Sequence, residues 1–287
     1  GSVPSDVTEE IAVAQLADVL DGHPETCAGL ARFAETPGHT LTFMVGNHDA
    51  GLAFPAAQAL LKARLSDKIG IMSEPYVFDG VRIEHGDRHE PVHEIDEPFY
   101  TPNGGKPLLN LPWASYFFIH FVRPLKYRRA YIDKVKPFRT YLTWAALFDF
   151  RFFLSTIFRL VYFWIYSIGW GRIGSRRFGP TILPVFLRQI EGHNELRAAR
   201  RLLFRERKLN TVIFGHTHHA LYRQFAPGRE YFNTGCWNQV TDLDIEGYGW
   251  RVRLTYAFLE YSEKERRWLT RLLVWNGRQH VHEPFWG

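Results

Sequence analysis

A carboxamide, an imidazole and a carboxylate stand side by side at Gly46-Asn47-His48-Asp49, directly after the apolar, β-prone run Leu41-Thr42-Phe43-Met44-Val45. These groups ligate metals and carry protons, and the leading glycine is expected to allow a tight turn. The setting recurs twice. His85-Gly86-Asp87 follows Val81-Arg82-Ile83-Glu84, and Gly215-His216-Thr217-His218 follows Thr211-Val212-Ile213-Phe214. In an open α/β sheet, sites form at the carboxyl ends of strands, so the three loops are expected to meet. The mixed nitrogen and oxygen set suits Mn²⁺, Fe or Zn²⁺ and excludes a pure calcium cage. His216 and His218, two apart on a loop, can face different ions of a pair about 3.5–4 Å apart. A lone histidine at a strand end is more often a hydrogen-bonded surface residue than a ligand. The chemical reading therefore rests on three motifs together.

The elements that must position these loops are legible from periodicity. A helix is expected over residues 7–20, with Ile11, Val13, Leu16, Val19 and Leu20 on its apolar face, ended by Asp21-Gly22-His23-Pro24. Shorter helices follow at 25–34 and 54–65. The pair 76–78 and 81–84 reads as a hairpin on a two-residue Asp79-Gly80 turn. Residues 230–237 form a strand running into a tight turn, and 251–261 with 267–275 form a second hairpin. Strands followed by helices, then antiparallel hairpins, place the chain in a layered α/β class.

Between these parts the composition changes. Residues 106–208 carry 20 Lys/Arg against 5 Asp/Glu, while the rest of the chain has 15 against 25. The formal charge of +5 thus hides an acidic, cation-binding body and a basic appendage suited to something anionic. Aromatic residues gather in the appendage too, among them Phe117, Phe118, Phe121, Trp144, Phe152, Phe153 and Trp164, and Arg/Lys clusters fall at 123–129 and 172–177. The stretch 152–170 has one charge, Arg159, in 19 residues. Its length would span a bilayer, but a central arginine argues for an interfacial helix or hydrophobic lid, with a buried core or dimer helix as the alternative. A polar helix rich in arginine (Arg197, Arg200, Arg201, Arg205) then returns the chain to the body. A hydrophobic content of 46% excludes global disorder. Two distant cysteines, Cys27 and Cys236, read as thiols of a reducing compartment and not as a disulfide framework. No signal peptide is apparent at the N-terminus.

Gly46-Asn47-His48-Asp49, His85-Gly86-Asp87 and Gly215-His216-Thr217-His218 resemble the third, fourth and fifth motifs of the calcineurin-like metallophosphoesterase superfamily, and Asn233-Thr234-Gly235 resembles the turn that often follows the last of them. The resemblance covers residues 41–90 and 209–275. It implies a four-layer αββα sandwich with a long, aromatic and basic helical insertion: core at 1–99, insertion at 100–208, core again at 209–287. It also implies a dinuclear centre of divalent ions, Mn²⁺ first, with Fe or Zn²⁺ as alternatives. Carried over, Asn47, His85 and His216 ligate one ion and His218 the other. His48 contacts the scissile phosphate and protonates the leaving oxygen, and Asp49 orients the His48 ring.

The chain departs from the superfamily at its start, where Asp-x-His and Gly-Asp-x-x-Asp are expected before Gly46. Asp21-Gly22-His23 has the first spelling but ends a helix, and Gly86-Asp87 matches the second only in part. Three explanations stand: a strand-helix-strand unit outside the sequence given, the same unit supplied by another chain, or a non-catalytic relative. The 287-residue chain is expected to bind metal weakly and turn over poorly without the bridging aspartate. The insertion makes the chain similar to the lipid-processing UDP-2,3-diacylglucosamine pyrophosphatase branch, whose insertion is a lid over acyl chains. That branch has arginine at the position of His48, so the likeness is architectural. The expectation is a cytoplasmic, peripherally membrane-associated hydrolase of a phosphorylated or pyrophosphorylated lipid or amphiphile, meeting an anionic membrane surface through residues 100–208, with homo-oligomers an open question. The alternatives are a nuclease or nucleotide phosphodiesterase, for which a nucleic-acid partner fits a long uncharged run less well, and a binding or scaffold protein.

Overall fold

The structure is a computed structural model that describes residues 6–95, 99–103, 106–130, 132, 135–136, 138–169, 194–238, 240–242, 249–277 and 283–284. The expected arginine cluster at 172–177 lies outside them.

Helices α1 (Glu9–Gly22) and α2 (Pro24–Glu35) begin the chain, each started by a local signal. Thr8 caps α1 by accepting the Ile11 N–H at 3.4 Å, and Pro24 opens α2 with the fixed φ that a first helical turn tolerates. The cap moves α1 two residues later than periodicity suggests. Strand β1 (Thr42–Met44) then pairs in parallel with β2 (Gly70–Met72), with α3 (Pro55–Arg64) as the crossover.

Strands β3 (Tyr76–Phe78) and β4 (Val81–Ile83) form the expected hairpin. Asp79 and Gly80 both have positive φ, 39° and 84°, as a two-residue primed turn requires. β4 continues into a five-stranded sheet of order β3-β4-β8-β10-β9, in which β8 (Thr211–Phe214), β9 (Ala220–Ala226) and β10 (Arg229–Thr234) complete the row. The central strands β4, β8 and β10 run parallel, and antiparallel β3 and β9 close the edges.

β8 explains how the layers assemble. All four of its residues are buried, because both faces of its sheet are covered. Val212 and Phe214 face helix α8 (Asn194–Arg205), where they pack with Ala198, Ala199, Leu203 and Tyr231. Ile213 points the other way, joining Val81, Phe232 and Leu272 against the antiparallel hairpin of Thr255–Ser262 and Arg267–Val274. A helix, a mixed sheet and a second sheet are thus stacked in that order. The Arg229 guanidinium closes the end of α8, donating to the carbonyls of Leu203 (2.5 Å), Arg207 (3.1 Å) and Leu209. Helix ends expose unpaired carbonyls that favour a cation.

The basic, aromatic segment forms a hairpin, β5 (Tyr100–Asn103) and β6 (Lys106–Leu109), and then short helices α4 (Trp113–Phe117) and α5 (Arg123–Lys126) joined by a π-helical turn. A two-residue strand β7 (Val135–Lys136) and the longer α6 (Phe138–Phe148) and α7 (Phe150–Gly169) follow. Trp113, Tyr116, Phe121, Leu125, Phe152 and Phe163 share one core with α1, α3 and β1. The rings pack as offset stacks and edges, with Trp113 5.2 Å from Phe117 and 5.8 Å from Phe163. Among the described residues, no helix is long and apolar enough to cross a membrane.

Those core rings occupy one side of α7. On the other side Phe150, Leu154, Phe158, Val161, Tyr162 and Ile165 are exposed, Phe158 and Tyr162 each at 71%. Spacings of three and four residues place them on one stripe. Trp144, Leu147 and Phe148 of α6 are exposed as well. The aromatic residues therefore divide: Phe121 and Phe152 are buried and Phe117 partly so, while Phe118 and Trp144 join Phe150, Phe158 and Tyr162 at the apolar surface.

Candidate functional site

The three motif loops meet. Because β4 and β8 are adjacent and parallel, in register Ile83↔Ile213, their following loops emerge side by side, and the Gly215 N–H donates to the His85 carbonyl at 3.0 Å. The loop after β1 arrives from the separate two-stranded sheet. Asn47 Oδ1 lies 3.0 Å from His85 Nε2 and 3.2 Å from His216 Nδ1. Gly46 opens the expected tight turn, its carbonyl accepting the Asp49 N–H at 3.2 Å, and it also serves this approach. A Cβ there would stand 2.6 Å from the His85 ring, and its φ is not among the positive ones. The glycine is needed for room.

His48 and His218 form a second, more exposed pair, their rings stacked with centroids 5.5 Å apart. His216 and His218 hold φ of 65° and 62°, a conformation costly for a side chain-bearing residue and concentrated at functional loops. Asn233 fixes that loop. Fully buried, it donates to the Gly215 carbonyl (2.7 Å) and Thr217 Oγ1 (3.1 Å) and accepts the Gly235 N–H (2.9 Å). The Asn-Thr-Gly stretch is thus a brace for the histidine loop. Asp49 differs from expectation: its carboxylate accepts the Gly46 N–H at 3.3 Å and closes its own loop, and among the described residues it makes no hydrogen bond to the His48 ring.

Two residues of the site, Glu90 and His93, escape the sequence reading. A short 3₁₀ turn over Asp87–His89 folds the chain back after His85, made possible by Gly86 at φ 108°. Glu90 Oε2 then reaches both His216 Nε2 and His93 Nδ1 at 2.9 Å. The signal that could find them is the density of acids and imidazoles from His85 to Glu94, which fits no motif spacing. Glu84, equally buried, holds that turn through His89 (2.8 Å) and Arg82 (3.0 Å).

The electrostatics follow from burial and crowding. Burial, then the neighbouring charges of His216, His48, His218 and His93, depress His85 to about 4. Burial, then His216 and His93, lowers His48. Glu90 is pushed up by burial, but the bonds from His216 and His93 outweigh it and hold the carboxylate at about 2. Burial raises Asp49 to about 6, an effect that solvent on its exposed loop partly screens.

In the metal-free protein the signs add up to acid lability. His85 and Glu90 take up protons at ordinary values of 6.5 and 4.5 when unfolded, but only near 4 and 2 when folded. Stability is then full above pH 6.5 and is lost as pH falls through each window, by at most about 3 kcal/mol apiece. Asp49 acts oppositely between 3.8 and 6, and more weakly. Urea midpoints measured with chelator at pH 7, 5 and 3.5 should fall in that order; a midpoint rising toward acid would contradict the assignment.

The donor set fits a divalent ion. Ligands about 2.1 Å from one ion and at right angles stand roughly 3 Å apart, which is the spacing of Asn47 Oδ1 from both ring nitrogens. Asn47 Oδ1 can only accept, so a positive charge between it and an imidazole lone pair turns that contact attractive. For a second ion, the described part of this loop cluster adds His218, and one ligand does not hold an ion. Glu90, His93 and His216 form a further group able to hold a cation. No family model, curated protein or solved structure matches the chain.

Proposed function

We propose that the chain is a metal-dependent phosphoesterase of the calcineurin-like metallophosphoesterase type, with the four-layer αββα sandwich of that superfamily. One observation carries the reading: Asn47, His85 and His216, from three motifs far apart in sequence, converge within 3.0–3.2 Å. Asn47 Oδ1, His85 Nε2 and His216 Nδ1 hold one divalent ion, Mn²⁺ first, and His218 contributes to a second. A bound ion supplies Lewis acidity toward a phosphoryl oxygen and acidifies water near neutral pH. The residues supply the rest. Burial keeps His85 neutral and therefore able to ligate. Burial shifts His48, beside the His218 ring, toward its neutral form; an arriving phosphate anion raises its pKa, so it can hold a proton for the leaving oxygen. Asp49 acts through the loop backbone at Gly46.

The substrate class is a phosphorylated or pyrophosphorylated lipid at a membrane surface. Its support is the α7 stripe, with Arg123, Arg128, Arg129, Arg151 and Arg159 on the same segment. Apolar side chains enter the headgroup boundary while basic ones attract anionic lipid, each worth about 1 kcal/mol near the surface. A cavity of about 350 Å³ lined by Phe121, Tyr162, Phe163, His120 and Arg159 adjoins the stripe at Tyr162.

The test uses the chelator-stripped chain, Mn²⁺, bis(4-nitrophenyl) phosphate and a long-chain phosphatidate in mixed micelles. Mn²⁺-dependent hydrolysis is expected with both, slow in absolute terms and faster on the lipid. Rates equal to the metal-free background on both substrates would remove the proposal. Faster cleavage of single-stranded nucleic acid than of lipid would turn it into a nuclease.

A further inference from the structure

The ring of His216 meets an oxygen on each side, Asn47 Oδ1 at 3.2 Å from Nδ1 and Glu90 Oε2 at 2.9 Å from Nε2. A neutral imidazole has one N–H to share between them. We infer that Glu90 is the positioning residue of His216, fixing its proton on Nε2 so that the Nδ1 lone pair points at Asn47, and that His93 positions Glu90 in turn. The inference rests on the metal-centre reading above and assigns residues to it that the motif resemblance does not contain.

Bond strength decides the tautomer. A donor to an ionised carboxylate makes a bond roughly twice as strong as one to a neutral oxygen, and the Glu90 contact is also the shorter. Glu90 Oε2 accepts at the same distance from His93 Nδ1, so it is held from two sides and cannot swing away from His216. The T-shaped contact of the His93 and His216 rings, centroids 4.7 Å apart, fixes that arrangement sterically. His216 cannot reorient to compensate: its side chain is 5% exposed, its backbone is held at positive φ, and its loop is braced by Asn233. Metal-bound histidines are typically oriented by such an outer carboxylate, which also raises the basicity of the ligating nitrogen. The competing arrangement seats an ion directly among Glu90, His93 and His216 Nε2, since these atoms lie within 4.8 Å of one another. That ion would displace the ring proton to Nδ1, where it would donate to Asn47. The two arrangements therefore differ in an observable tautomer.

Long-range ¹H–¹⁵N spectra of the full chain, with histidine rings labelled, read it at pH 8. The metal-free protein should show His216 as the Nε2–H tautomer. Zn²⁺, used because it is diamagnetic, should shift Nδ1 and leave the Nε2 proton in place. Glu90→Gln should weaken Zn²⁺ binding by roughly 10–100-fold with unchanged stoichiometry, and mix the tautomers of the metal-free ring. His93→Ala should give a smaller loss in the same direction. A Nδ1–H tautomer with zinc on Nε2, or a wild-type tautomer and affinity in Glu90→Gln, overturns the inference. If Glu90→Gln does not fold, the wild-type tautomer alone decides. Zinc that moves no ring would remove the metal centre while Nε2–H in the free protein still supports the role of Glu90, so the two failures are distinguishable.

Discussion

His216→Ala should abolish divalent-metal binding at the loop cluster and lower Mn²⁺-dependent phosphodiester hydrolysis by at least about 100-fold, a loss of roughly 3 kcal/mol of transition-state stabilisation. The size of the effect follows from how much meets at this ring. It is the neighbour of Asn47, the anchor of Glu90 and the edge partner of His85 at 5.3 Å. Removing it leaves Asn47 and His85 as two ligands, too few to define a site. It also leaves the buried Glu90 carboxylate with His93 as its remaining imidazole donor, so the variant should be less stable at neutral pH. Asn47→Ala removes the ligand without touching Glu90. It should lose metal binding and activity as His216→Ala does, but keep more of the stability. Calorimetric titration with Mn²⁺ and initial rates on bis(4-nitrophenyl) phosphate check both. Hydrolysis surviving in either variant at half the parent rate would detach the chemistry from these loops. His218→Ala, by contrast, should slow turnover and keep the first ion, because its ring stacks on His48 while Asn47, His85 and His216 remain for that ion.

The double variant Phe158→Glu/Ile165→Glu should lose flotation with anionic liposomes almost completely. These side chains are 71% and 64% exposed, so folding has little stake in them. Burying each in the headgroup boundary contributes about 1.5–3 kcal/mol, and two carboxylates add repulsion from anionic lipid. The summed loss, at least about 3 kcal/mol, is more than 100-fold in partitioning. Vesicles of phosphatidylcholine with and without phosphatidylserine separate the apolar term from the arginine term. Equal flotation of parent and double variant would show that the α7 stripe faces something other than a bilayer. Hydrolysis of a soluble diester should be unchanged by these substitutions, since the stripe lies on α7 and the histidines on the loops after β1, β4 and β8.

Much of this was legible from residue order. The Asp79-Gly80 hairpin, the strand before each motif and the terminal antiparallel pair follow from alternation and turn chemistry, because each depends on neighbours in sequence. The convergence of Asn47, His85 and His216 was legible only as an expectation, since it depends on parallel pairing of β4 with β8, and strand periodicity does not specify partners. Three matters escaped for physical reasons. Gly46 opens the expected turn, but what demands glycine there is room for the His85 ring, which no local signal reveals. Asp49 sits beside His48 in sequence, yet its carboxylate turns to the Gly46 N–H. Glu90 and His93 follow a left-handed Gly86 that reverses the chain, and only that reversal brings them to His216. In the basic segment, composition announced an amphiphilic surface but could not say which aromatic residues form it; the core claimed Phe117, Phe121 and Phe152, and the stripe fell to Phe150, Phe158 and Tyr162.

The central claim is that three loops hold one divalent ion. Diffraction at the manganese absorption edge, from crystals of this chain grown with Mn²⁺, tests it most directly. The account predicts an anomalous peak within ligand distance of Asn47 Oδ1, His85 Nε2 and His216 Nδ1, with Glu90 outside the coordination shell. A peak among Glu90, His93 and His216 Nε2 in its place, or no peak on these loops at millimolar Mn²⁺, would contradict it.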